Sequence, residues 1–86
     1  MSEPVSETQT RDIRAIVESL VFVSEQPATP QALAKIVRVD AAQVRRVLED
    51  LGAEYRSRGV VLEEVAGGWQ FRTNPEVAAY VREYLQ

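Results

Sequence analysis

Gln43, Arg45 and Arg46, close together near the middle of the chain, carry the side-chain types that read base edges and hold phosphates. Further on, Glu63 and Glu64 offer adjacent carboxylates, Gly67 and Gly68 a glycine pair, and Trp69 and Phe71 two aromatic rings. Each group suggests a chemistry. Neighbouring strand residues point to opposite faces, so Glu63 and Glu64 cannot share one substrate as an acid and base pair. A phosphate-cradling glycine loop opens onto a helix, whereas a strand pattern follows Gly68, so the glycines read as a hairpin turn. Trp69 and Phe71 on one face of a small hairpin read as core rather than as a platform for bases.

Composition narrows the field further. The chain has 86 residues with no cysteine and no histidine, which removes thiolate chemistry, disulfides, the commonest general base and the commonest metal ligand. No cofactor or metal is called for by what remains, and an enzyme is disfavoured. The net charge is -3, with Glu3 and Glu7 supplying two of the negative charges, so the rest of the chain is close to neutral. Nucleic-acid readers draw their non-specific affinity from a basic balance that this chain lacks. The longest apolar run, Leu20 to Val23, is about one helical turn, and the first residues lack the pattern of a signal peptide, so a cytoplasmic location is the default.

The elements that position these residues follow from spacing and caps. Residues 1–10 are polar and read as a disordered acidic tail, with Thr10 placed to cap a first helix over residues 11–24 whose apolar stripe is Ile13, Ile16, Val17 and Leu20. Thr29-Pro30 pairs a cap residue with proline at the first helical position and opens a short second helix to Val37, burying Leu33, Ile36 and Val37. Asp40-Ala41-Ala42-Gln43 has the form of a capping box and opens a third helix, with Val44, Val47, Leu48, Leu51 and Tyr55 on its apolar face, running to about Arg58 before Gly59. Gly52 within it marks either a close backbone contact or a weak point.

Two strands follow, residues 60–65 and 69–73. A Gly67-Gly68 turn sets Ala66 opposite Trp69, Glu64 opposite Phe71, Glu63 opposite Arg72 and Leu62 opposite Thr73. Asn74-Pro75 then starts a last helix with Val77, Tyr80, Val81 and Tyr84 on one side. The domain expected over residues 11–86 is α+β, in the order α-α-α-β-β-α, with a helix-turn-helix feeding a hairpin: a winged helix. In such a fold Gln43, Arg45 and Arg46 lie on the DNA-reading helix. Glu49 and Asp50 sit four residues beyond the two arginines, where they pair with them or repel phosphate.

Phe22 falls on the side of the first helix opposite its apolar stripe, in line with Ala15 and Ser19. One large apolar residue beside two small ones lets another surface approach closely, so Ala15, Ser19 and Phe22 are the candidate face for a homodimer or partner. The competing reading packs Phe22 on the hairpin or the last helix of its own chain.

The segments LVFVSEQP, PQALAKIV, VLEDLGAEYRSRG and LEEVAGGWQFRTNPE, with VREYL at the end, resemble the N-terminal region of bacterial segregation and condensation protein B over residues 11–86. The resemblance implies a non-enzymatic subunit of the bacterial condensin complex. Family members carry two winged helices, dimerise largely through the first, and clasp the kleisin subunit, segregation and condensation protein A, which bridges the heads of the SMC ATPase. One winged helix is read here, so the chain looks like an excised first domain or a shortened member. The family is recognised by fold and pattern, and no site residue is carried over from it. The alternative is a winged-helix transcription regulator reading DNA through Gln43, Arg45 and Arg46.

Overall fold

Periodicity and caps place the helices. The computed structural model describes residues 9–86, with side chains from Ile13 onward. Helix α1 is Gln9–Val23, α2 Pro30–Val37 and α3 Ala41–Glu54; strands β1 Val60–Val65 and β2 Gly68–Thr73 follow, then a 3-10 turn Pro75–Val77 and helix α4 Ala78–Leu85. The expected tail lies outside the described residues except for Gln9 and Thr10. Both are already helical, so α1 starts before the Thr10 cap that its pattern suggests. The order of elements is that of a winged helix.

The core is a single cluster in which α1 contributes Ile13, Val17 and Val21, at helical spacings of four. Leu33 of α2, Val44, Leu48 and Leu51 of α3, and Leu62 and Trp69 of the hairpin complete it. The stripe on α1 is thus rotated from the expected one, leaving Ile16 at the surface, and Ile36 of α2 is likewise exposed. With only three helices and a two-stranded sheet to cover it, a core of this size takes one narrow row from each helix.

Caps explain two of the helix starts. The Thr29 hydroxyl accepts the Ala32 amide at 3.1 Å, as the cap-plus-proline pattern requires. Asp40 occupies the cap position of α3, but its side chain makes no capping bond; its backbone carbonyl takes the Gln43 and Val44 amides instead. The capping box is therefore not formed. Between α2 and α3 the chain turns through Arg38, whose φ of 70° is left-handed and whose amide returns to the Ala34 carbonyl.

The hairpin differs from its expected register. Val65 pairs with Gly68, Glu64 with Trp69, Glu63 with Gln70 and Leu62 with Phe71, about a turn made by Ala66 and Gly67, both at positive φ. Gly68 belongs to the strand because Pro27 packs against it: a Cβ there would lie 2.7 Å from the Pro27 carbonyl carbon. Next to that contact, Ala28 and Trp69 exchange backbone hydrogen bonds of 2.9 and 2.7 Å, which fastens the α1–α2 loop to β2 as a single-residue third strand. The shift moves the partners but keeps Leu62, Trp69 and Phe71 on one face. Glu63 and Arg72 are diagonal rather than opposite, and still join at 2.9 Å.

Gly52 marks a close approach. A side chain there would meet the Leu62 carbonyl oxygen at 3.3 Å and the Trp69 ring at 3.5 Å, so α3 and the hairpin come together over bare backbone. The Trp69 indole N–H is buried with no hydrogen-bond partner among the described residues, so the ring serves through volume and contact rather than through a polar link.

Candidate functional site

Helix α3 stops at Glu54, four residues before its expected end, because Tyr55 leaves the helical path and takes up contacts of its own. Its ring packs edge-on against Phe71 with centroids 5.1 Å apart, and the Arg58 guanidinium lies over it at 4.5 Å. Its hydroxyl donates to the Glu18 carboxylate of α1. That hydrogen bond raises the phenol pKa above its ordinary value of 10.0, since it holds the proton against a carboxylate; partial burial and the charge of Glu18 act the same way, and Arg58 opposes them.

These contacts line a depression of about 340 Å³ on the back of the fold, between α1 and the hairpin. Ala15, Ser19 and Phe22 of α1 form one wall; Tyr55, Val60 and Phe71 face them, and Glu18 sits at the rim. The sequence-predicted trio is therefore brought together around one hollow. Phe22 meets Phe71 edge-on at 6.5 Å but remains 75% exposed, so the hairpin contact does not make it a core residue. The Ser19 hydroxyl donates to the Ile16 carbonyl of its own helix, which leaves a small surface with little polar demand. Tyr55, Val60, Phe71 and Glu18 are additional members of this site. Tyr55 and Phe71 were legible as apolar-face residues of their own elements, but nothing local says that they meet the back of α1. Chemically the hollow presents aromatic rings, two small side chains and a phenol-carboxylate pair, which suits burial of an apolar side chain.

The opposite face, where α3 and the hairpin would approach DNA, is built differently. Arg45 lies 3.8 Å from Glu64 of the wing rather than pairing with Glu49 along its own helix, and both partners are about half exposed. Arg46 is exposed and Gln43 partly buried. Beside them runs a shallow groove of about 630 Å³ whose rim carries Glu49, Glu63, Glu64 and Glu76 against Arg56. Carboxylates in this number oppose a phosphate backbone. The structure keeps Gln43, Arg45 and Arg46 on one helix, but their surroundings are acidic.

α4 leaves the body under a clamp. The Asn74 amide group donates to the Arg58 carbonyl at 2.8 Å, its side-chain oxygen accepts the Glu76 amide at 2.9 Å, and its backbone amide reaches Gly59 at 2.7 Å. No residue of α4 is buried. Among the described residues no helix is long and apolar enough to cross a membrane.

Together these features define a winged-helix domain whose recognition face is acidic and whose apolar hollow lies on its back. A family model for the segregation and condensation complex subunit ScpB matches residues 15–86, and the chain belongs to that family. Segregation and condensation protein B of Myxococcus xanthus is 40% identical over 79 residues, covering 90% of this chain and 24% of the relative. A solved dimer of the ScpB N-terminal domain complexed with a ScpA peptide superposes with a TM-score of 0.79 at 27% identity, covering 86% of this chain and 95% of that one. ScpB from Mycobacterium tuberculosis gives a TM-score of 0.80 at 26% identity, with 98% of this chain and 51% of that chain covered. The chain spans between 24% and 39% of the length of the first curated relatives it matches.

Proposed function

We propose that this domain is a non-enzymatic scaffold module of a bacterial SMC complex, pairing with a second copy of itself and binding the kleisin subunit, segregation and condensation protein A, in chromosome condensation and segregation. Its working place on this reading is the cytoplasm, at the nucleoid through the complex. Ala15, Ser19 and Phe22, with the hollow they border, are its contact face. The single observation that carries the reading is the likeness to an ScpB N-terminal domain solved as a dimer with a ScpA peptide, since the match covers almost all of that chain. The acidic surroundings of Arg45 and Arg46 support protein contacts over phosphate contacts.

The test is a pair of titrations. Fluorescence anisotropy of a labelled DNA duplex at low salt is expected to stay flat into high micromolar protein, while calorimetry against segregation and condensation protein A from the same bacterium is expected to show saturable heat. Salt-sensitive DNA binding with no heat from the kleisin would replace the scaffold by the regulator.

A further inference from the structure

The hollow and the root of α4 share one turn. Residues 55–59 link α3 to β1 as turn and bend. At its start the Tyr55 ring lines the hollow; at its end the carbonyls of Arg58 and Gly59 hold Asn74, the residue that caps the leading turn of α4. The turn is also tied within itself. The Arg58 amide donates to the Tyr55 carbonyl at 3.1 Å, and the Arg58 guanidinium lies over the Tyr55 ring at 4.5 Å. An unbroken series of contacts therefore runs from Phe22 through Phe71, Tyr55 and Arg58 to Asn74, and from the Asn74 side chain to the Glu76 amide. Because α4 packs substantially only on its own leading turn, its direction depends on that clamp.

We infer that the 55–59 turn couples the two sites: filling the hollow fixes the direction in which α4 leaves the body, and holding α4 orders the hollow in return. Phe22 is 75% exposed and meets one aromatic neighbour, Phe71, at 6.5 Å, so that wall of the empty hollow is lightly held. A side chain seated there presses on the Phe71 and Tyr55 rings, whose edge contact passes the restraint to the turn. The Arg58 carbonyl is then steadied, and with it the Asn74 amide group that reads it at 2.8 Å. The return effect follows from linkage, since a coupling between two binding events acts equally in both directions. The inference adds regulation to the contact face proposed above, and rests on that reading only for what fills the hollow.

The experiment is a set of residual dipolar couplings measured by NMR on the 86-residue chain, which has no native cysteine. Ser19→Cys places a single thiol in the wall of the hollow, and capping it with N-phenylmaleimide supplies a ring to fill the space. Capping is expected to change the couplings of residues 78–85 together, as one rotation of the helix, while those of α2 stay as they are. Adding Asn74→Asp, which keeps the Glu76 cap and loses the bond to Arg58, is expected to abolish that rotation. Phe22→Ala, at an exposed position, is expected to shrink the α4 couplings without capping, as the direction of the helix averages. Couplings in α4 that ignore both the cap and Phe22→Ala would overturn the coupling, and so would a rotation that persists undiminished with Asn74→Asp. A chain that shows the clamp-dependent rotation but takes up neither a second copy nor the kleisin would overturn the scaffold reading and leave the coupling standing.

Discussion

The Tyr55 hydroxyl is bonded to the Glu18 carboxylate across the boundary between the end of α3 and the back of α1. This contact falls where α3 ends, holds the Tyr55 ring against Phe71 in the wall of the hollow, and makes the phenol harder to ionise in the folded chain than in the unfolded one.

That pair sets an alkaline dependence. The folded pKa lies above the unfolded value of 10.0, so the contribution of the bond is fully present below pH 10 and is lost as pH rises through the folded value. Tyr55→Phe is expected to cost about 1 kcal/mol at neutral pH and to flatten the decline of stability above pH 10, as read by urea unfolding at a series of pH values. An identical alkaline decline in the variant would assign it to other groups.

The turn gives a contrast between neighbouring glycines. Gly68→Ala drives a methyl group into the Pro27 backbone, where no flexible atom yields, and is expected to cost about 2–3 kcal/mol. Gly67→Ala meets open space and pays only for its left-handed backbone, about 1–2 kcal/mol. Denaturant midpoints of the two variants rank them; the reverse order would restore the Gly67-Gly68 turn.

Asn74 holds two bonds with one side chain, and its substitutions separate them. Asn74→Asp keeps the acceptor for the Glu76 amide and loses the donor to Arg58, whereas Asn74→Ala loses both. The alanine variant is expected to be destabilised by about 1–2 kcal/mol and the aspartate variant by less, measured by thermal melting. Equal losses would mean that the cap bond adds nothing.

The acidic groove predicts a gain of function by charge reversal. Glu49→Lys, Glu63→Lys and Glu64→Lys together turn the rim basic and free Arg45 from its neighbour. The triple variant is expected to bind duplex DNA at low salt, with log affinity falling at a slope of about -0.9 for each phosphate neutralised. Anisotropy that stays flat would show that the shape of this face, and not its charge, keeps DNA away.

Much of the architecture was readable because its signals are local. Thr29-Pro30 and Asn74-Pro75 announce helix starts through one cap and one ring, and the spacings of Val44, Leu48 and Leu51 declare their face without reference to the rest of the chain. The misplacements share a cause in contacts that are distant in sequence. Gly68 looks like half of a turn until Pro27 is laid against it, and Tyr55 looks like one more residue of the α3 face until its ring meets Phe71 and its hydroxyl Glu18. Ile16 and Ile36 fit apolar rows by spacing, yet a domain this small has too little interior to take them. At the site, the trio on α1 was visible as a row of two small residues and one large one. The other wall was not, because it is assembled from the end of α3 and the inner face of the hairpin.

The bridge between Ala28 and Trp69 joins positions far apart along the chain, and the glycine beside it closes on Pro27. The three helices enclose only part of the apolar cluster until Leu62 and Trp69 arrive, and those two arrive only when the hairpin reaches back to the first loop. Closing so large a loop costs entropy before any contact repays it. A chain cut at Gly59 is therefore expected to leave an open cluster rather than a smaller domain, since Leu62 and Trp69 are what close it.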